Sequence, residues 1–203
     1  MNISIRLEEK QDYKKVEYLI REAFWDLYRP GCVEHLIVHN IREVRAFVGE
    51  LSYVACDGDT VVGNIIYSKA KVVDDKNKVF EVLCMGPFGV LPPFQKKGIG
   101  SLLMNHSIKK ARELGFKAIV IFGDPKYYQR FGFVNAGNYG ITTPSGENFD
   151  AFMALELSGG ALDGIAGKFY GDTVFEVKDE ELEVFEREFP YKEKHVTDTQ
   201  LWH

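Results

Sequence analysis

One stretch constrains the fold of this chain more than any other: Gly86-Pro-Phe-Gly-Val-Leu-Pro-Pro-Phe-Gln-Lys-Lys-Gly-Ile-Gly-Ser101. The apolar run from Val79 to Val90 reads as a buried strand, and Pro92 and Pro93 end it. Gln95-Lys96-Lys97-Gly98-Ile99-Gly100 then turns the chain straight into a helix. Two glycines at a helix start let the backbone approach a ligand with no Cβ in the way. The first helical turn offers N–H groups with no partner and the positive end of the peptide dipoles. Lys96 and Lys97 add formal charge. Together these features predict a phosphate site, with pyrophosphate the best fit.

The usual nucleotide loops are excluded. No Gly-x4-Gly-Lys-Ser/Thr occurs, and Leu103 stands where a dinucleotide fingerprint needs its third glycine. Gln-x-x-Gly-x-Gly after a strand instead resembles the pyrophosphate loop of the GNAT superfamily of acyl-CoA N-acetyltransferases. A second piece, Tyr127-Tyr-Gln-Arg-Phe-Gly-Phe133, is similar to that family's other signature, in the bacterial branch of predicted N-acetyltransferases that carries it. The two pieces span residues 79 to 133 in the order and spacing the family requires.

The resemblance implies an α/β fold: one N-acetyltransferase domain over residues 1–203, with 79–133 as its signature core. Its sheet would be mixed and mostly antiparallel, with about seven strands, a central splayed parallel pair and helices on both faces. Residues 158–203 would form a C-terminal extension that carries no signature. The implied activity is transfer of the acetyl group of acetyl-CoA, a co-substrate, to a primary amine on a small molecule, peptide or protein, by direct attack in a ternary complex. By the same resemblance Gln95, Lys96, Lys97, Gly98, Ile99, Gly100 and Ser101 hold the pyrophosphate. Phe88, Gly89 and Val90 pair with the pantetheine arm as an added strand, Gly89 leaving room for it. Proline cannot donate to a ladder, so Gly86-Pro87 predicts a break or bulge in that strand.

Tyr128 stands four residues before the glycine of the second signature. The resemblance makes it the group that hydrogen-bonds and protonates the departing sulfur, with Tyr127 beside it as a further contact. The base is open. Cys84 falls at the depth where some family members carry a glutamate, and a neutral thiol replaces it poorly. Glu81 is the nearest carboxylate and a weak candidate, and a water relay serves equally well. Gly123-Asp124-Pro125 occupies the region of a family asparagine, whose role is not transferred. No activated Cys–His pair is visible, so no acetyl-enzyme is expected. Two alternatives stand beside this reading: a CoA-binding sensor or partner subunit without catalysis, and an acyltransferase using a longer acyl-CoA.

Bulk properties narrow the field. The 203 residues are 45% hydrophobic, enough for one substantial core. A net charge of −5 argues against a nucleic-acid partner. Cys32, Cys56 and Cys84 show no zinc or Cys-x-x-Cys spacing, and reduced thiols fit the cytoplasm. The first residues do not read as a signal peptide, and no stretch reaches a membrane-spanning length. His35 and His39 are four apart on an expected helix, but no His-Glu-x-x-His pattern points to a metal. In the family this region borders the acceptor pocket. A homodimer is allowed.

In chain order, Ile3–Leu7 alternates as a half-buried strand. Residues 11–28 and 34–44 read as amphipathic helices separated by Pro30-Gly31. Residues 51–56 and 61–67 read as strands around an Asp57-Gly-Asp-Thr60 hairpin turn. Lys71–Lys78 reads as a polar loop or ragged strand end. The helix from Gly98 to Leu114 is capped by Gly115 and followed by a strand at 118–122, making a parallel βαβ unit. Asp124 and Pro125 open a short helix. Strands begin near Phe133 and over 151–157, and glycine-rich 159–171 reads as loop. From Asp172 to Glu193 nine acids face only Lys178, Arg187 and Lys192. That run reads as a solvated face, the alternative being attraction of a cationic amine.

Overall fold

In the computed structural model, which describes residues 1–200, the chain alternates between a long sheet and helices on both of its faces. The last three residues of the expected 1–203 span lie outside the described residues. β1 (Ile3–Leu7) leads to a 3-10 turn whose Asp12 accepts the Glu9 N–H at 2.9 Å and both ends of the Arg6 guanidinium, at 2.6 and 2.9 Å. α1 (Tyr13–Phe24) follows. It stops four residues short of the predicted end because Asp26, at φ +58°, folds back on Gly31 through two hydrogen bonds of 2.8 and 2.7 Å. α2 (Glu34–Ile41) is likewise shorter than the 34–44 expected.

β2 (Tyr53–Asp57) and β3 (Thr60–Val73) form the expected hairpin, but β3 runs on through residues read as polar loop. Alternation explains it: Ala70 and Val72 turn inward while Lys69 and Lys71 face solvent. β4 (Val79–Val90) has its predicted bounds. Opposite it, Phe88 pairs with Ile65 and Met85 with Tyr67, so Gly86 and Pro87 together face Ile66 alone. That is the bulge the proline demanded. α3 (Ile99–Glu113) and β5 (Ala118–Phe122) complete the βαβ unit, with Gly115 at φ +81° ending the helix.

After β5 come α4 (Pro125–Tyr128), β6 (Val134–Asn135), β7 (Ile141–Thr142), β8 (Phe152–Glu156), β9 (Gly167–Tyr170) and α5 (Asp179–Glu186). The sheet has nine strands, not about seven, in the order β1-β2-β3-β4-β5-β8-β6, with β9 on the far half of β3 and β7 on β9. The excess has two sources. The single strand expected from Phe133 is split by a 3-10 turn over Ala136–Tyr139. The glycine-rich segment contains β9, whose Gly167 crosses so close to β3 that a Cβ there would lie 2.2 Å from the Val73 carbonyl oxygen. The six other ladders are antiparallel; β4–β5 is parallel, as is the two-residue contact of β7 with β9.

Strand alternation sorts the core into two sides. Tyr53, Ala55, Ile65, Tyr67, Leu83, Met85, Ile119 and Ile121 face α3, which answers with Ile99, Leu103, Met104, Ile108 and Ala111. On the other side Val54, Cys56, Val61 and Ile66 meet Val16, Leu19 and Ile20 of α1 and Val38 and Ile41 of α2. Farther along that side Val82, Cys84 and Val120 pack with Phe152, Leu162, Ile165 and Phe169.

The acidic C-terminal run is not simply a solvated face. Leu182 and Phe185 of α5 pack on Leu36. Glu186 takes the guanidinium of Arg21 (Nε at 2.9 Å) and sits 2.9 Å from His35 Nε2. Arg21 is 1% and His35 0% exposed. The chain then runs along α1: Lys192 pairs with Glu22, Trp25 Nε1 donates to the Glu193 carbonyl, and His195, Thr197 and Gln200 all bond Asp26. No helix among the described residues is long and apolar enough to cross a membrane.

Candidate active site

β4 and β5 begin side by side and separate. They share only the register pairs Leu83–Ile119 and Cys84–Val120. Beyond them β4 continues to Val90 with β3 on its other edge, while β5 turns away with β8 as partner. The edge of Met85–Val90 that faces β5 is therefore left without a ladder. Gly123 N–H bonds the Ala151 carbonyl at 2.9 Å, which holds the end of β5 toward β8.

Past the open edge lies the predicted phosphate loop. Pro92–Phe94 makes one 3-10 turn, and Lys96 (φ +59°) and Gly98 (φ +85°) take left-handed backbone. A Cβ on Gly98 would meet nothing within 4 Å, so its glycine serves the backbone angle. No side chain caps α3, and Leu102 N–H, bonded to Gly98 O at 3.0 Å, is the first in the helix to find a partner inside it. The N–H groups of Ile99, Gly100 and Ser101 precede it. Gln95 donates to the Val90 carbonyl at 3.0 Å, tying loop to strand, and Lys97 donates to the Pro93 carbonyl at 2.8 Å. The Ile99 side chain belongs to the core.

The two tyrosines divide the space. α4 is started by Asp124, whose carboxylate accepts the Lys126 N–H at 2.9 Å, with Pro125 at the first helical position. Tyr127 reaches back over Gly100: a Cβ there would lie 2.6 Å from its hydroxyl oxygen and 3.1 Å from Phe88 Cζ. Arg130 stacks on the Tyr127 ring at 4.0 Å. Tyr128 turns inward, 5.7 Å from Phe133, its ring pressed so close to Gly123 that any Cβ would clash at 2.3 Å. Burial pushes the Tyr128 hydroxyl well above the ordinary phenol range, with Tyr127, Tyr28, Tyr67 and Asp124 adding to it, so it stays protonated at neutral pH. Thus Phe88, Gly89, Val90, the 95–101 loop, Tyr127 and Tyr128 come together.

Two expectations are corrected. The missing side chain of Gly89 serves α1 rather than an arm: a Cβ there would lie 2.8 Å from Ile20 Cδ1 and 3.2 Å from Ala23 Cβ. Glu81 is not brought to the gap. It stands near the opposite end of β4, exposed and paired with Lys69 at 3.2 Å. Cys84 lies at the last shared register of the parallel pair, and burial pushes its thiol up to about 12, so it offers no base.

On the α1 side of the gap the 25–33 loop carries Tyr28, and α2 opens with Glu34. Burial raises the Tyr28 hydroxyl, and the charges of Glu34 and Asp124 raise it further. Burial also lifts the Glu34 carboxyl, against the hydrogen bond it accepts from the Val33 N–H at 3.0 Å. Sequence reasoning passed over both, and over Phe122, an exposed ring at the end of β5. The available signal was positional: an aromatic immediately before Gly-Asp-Pro at a strand terminus. His35 serves the fold instead, held between Glu186 and Cys32. A separate cleft of about 680 Å³ between the C-terminal end of α3 and the 158–165 loop lies at the other end of the sheet, lined by Arg112, Lys117 and Leu157, and contains none of residues 95–101 or 127–133.

The model of the acetyltransferase (GNAT) family matches residues 18–133. The N-acetyltransferase YhbS of Escherichia coli K12, itself called uncharacterized, is 28% identical over 164 residues, covering 80% of this chain and 92% of that protein. The crystal structure of E. coli YhbS in complex with CoA superposes with a TM-score of 0.76 at 26% identity, over 87% of this chain and 93% of that one. A GNAT family acetyltransferase from Brucella melitensis, in complex with acetyl-CoA, gives 0.68 at 26% identity, over 86% and 98%.

Proposed function

The chain belongs to the acetyltransferase (GNAT) family, and from that premise we propose that it moves the acetyl group of acetyl-CoA onto a primary amine by direct attack in a ternary complex. The observation that carries this reading is the open edge of β4 running straight into an uncapped helix start. An extended pantetheine arm completes such an edge by strand-like pairing through Phe88, Gly89 and Val90. Its pyrophosphate then lies over the N–H groups of Gly98–Ser101, with Gln95 fixing the loop and Lys96 and Lys97 beside it. Tyr127 flanks the arm where it passes Gly100. The relatives crystallised with CoA and acetyl-CoA support this use of the fold.

In the reaction the neutral amine attacks the thioester carbonyl, the new C–N bond forms, and the C–S bond breaks. The ammonium proton leaves to solvent or a carboxylate, and the departing sulfur needs a proton. Tyr128 donates its phenol proton to that sulfur through a hydrogen bond, and the phenolate then takes a proton back from solvent. The dry surroundings that raise its phenol also raise the proton affinity of a thiolate in the same place, which keeps the transfer near balance. The three buried free cysteines support a cytoplasmic setting.

Tyr128→Phe tests the proposal. Turnover, followed by thiol release, is expected to fall by about a hundredfold or more, with acetyl-CoA Kd by calorimetry unchanged. Unchanged turnover would remove Tyr128 from the mechanism. Failure of acetyl-CoA to bind the wild-type protein would remove the acetyl-transfer reading altogether.

A further inference from the structure

The sheet face opposite α3 carries an aromatic wall at the mouth of the gap. Phe122 stacks on Phe152 at 4.9 Å, Phe149 lies 6.0 Å from Phe122 and 6.1 Å from Phe152, and Phe169 backs them at 5.8 Å from Phe152. Phe152 and Phe169 are buried, whereas Phe122 is 55% and Phe149 46% exposed. Two large rings left open side by side forgo burial that the rest of the core obtains.

Their position is specific. Along β5, Ile119 and Ile121 face α3, so Val120 and Phe122 face the other way. Phe122 is followed at once by Gly123, on which the Tyr128 ring rests, and by Asp124. The Phe152 N–H bonds the Phe149 carbonyl at 2.9 Å, fixing Phe149 beside the β5 terminus. The pyrophosphate, as read above, lies at the start of α3. The face these rings line is the one left for the amine in that reading. The chain around the rings carries more acids than bases. Asp124 follows Phe122 by two residues, and Glu147 and Asp150 flank Phe149 in the chain. Among the nearby cations Arg29 pairs with Asp179 at 3.2 Å and Arg130 lies on the Tyr127 ring, while Lys126 stands exposed on α4.

We propose that the acceptor is a primary amine carried on an aromatic or bulky apolar body, its body seated on Phe122 and Phe149 and its ammonium drawn toward Asp124 and the acids that flank Phe149. This rests on the acetyl-transfer reading and adds the class of acceptor to it. Burying a ring against the wall supplies affinity that a small polar amine cannot obtain, and the carboxylates orient the cationic end.

The test compares phenethylamine, ethylamine and 1,4-diaminobutane as acceptors, with acetyl-CoA binding measured separately by calorimetry. Phenethylamine is expected to exceed ethylamine in kcat/KM by about a hundredfold, since a single methylene in an apolar pocket already decides roughly 10- to 200-fold. Phe149→Ala should raise the phenethylamine KM about tenfold with acetyl-CoA Kd unchanged, and Phe149→Leu should recover part of the loss. Calorimetric titration of phenethylamine into the CoA-saturated protein gives the same comparison without turnover. Equal or better use of ethylamine or diaminobutane, with acetyl-CoA bound normally, overturns this proposal alone. So does a wild-type dimer that Phe149→Ala dissociates without changing the amine KM, which would make the wall a contact between two copies. Absence of acetyl-CoA binding overturns both readings together.

Discussion

Gly89→Ala separates two uses of one glycine. The added methyl would sit 2.8 Å from Ile20 Cδ1, 3.2 Å from Ala23 Cβ and 3.5 Å from Leu19 Cδ2. Ile20 and Leu19 are fully buried on α1, so neither can swing into solvent. Overpacking of this kind costs about 1–3 kcal/mol. Gly89 is not among the positive-φ residues, so alanine fits its backbone angle and returns about 0.4–1 kcal/mol by stiffening the unfolded chain. The net loss of about 1–2 kcal/mol corresponds, at about 2–4 °C per kcal/mol for a domain of this size, to a Tm lower by about 2–8 °C. Circular dichroism melts measure it, and calorimetry on the same protein gives the acetyl-CoA Kd, expected to change by less than about threefold because only side-chain space on the α1 face has altered. A Tm equal to wild type with a Kd weakened tenfold would refute the reasoning and return Gly89 to the ligand.

Glu186→Ala leaves buried Arg21 only Glu22 at 3.6 Å and the Pro190 carbonyl at 3.1 Å, and takes the carboxylate from His35; breaking such a pair costs about 3–5 kcal/mol, so Tm should fall by about 10 °C, and a fall under 2 °C would show that the pair matters little. Burial lowers the His35 imidazole from 6.5 to about 4, against the pull of Glu186. The unfolded chain therefore takes up a proton between those values that the folded protein refuses. Stability is complete above pH 6.5 and drops by about 3 kcal/mol as pH falls to 4; urea titrations at pH 7, 5.5 and 4 measure the slope, and an identical slope in His35→Gln would rule out this source. Glu81→Gln, at the far end of β4, should leave kcat and its pH profile as they are, and a tenfold loss would restore Glu81 as the base.

The site's backbone was legible because its residues report local geometry. Gly98 and Gly100 announce a left-handed turn and a close approach, Pro87 forces a bulge, and Asp124-Pro125 starts a helix wherever it stands. Strand β4 was legible to the residue because an apolar run bounded by Pro92 admits little else. What escaped depended on partners distant in sequence. β9 is four residues in a glycine-rich segment, and only the Val73 carbonyl pressing on Gly167 explains it. The acidity of 172–193 looked like solvation, since nothing near Glu186 in sequence discloses Arg21, 165 residues away. Gly89 misled for a related reason: a missing side chain says that something comes close, not what.

The tail's hold on the 25–33 loop has a bearing on synthesis. The phosphate loop and both tyrosines precede residue 134, so a ribosome delivers them early. The 25–33 loop is fastened by His195, Thr197, Thr199 and Gln200 to Asp26 and Leu27, more than 165 residues upstream. A nascent chain thus completes residues 86–133 well before it receives the segment that clamps the 25–33 loop.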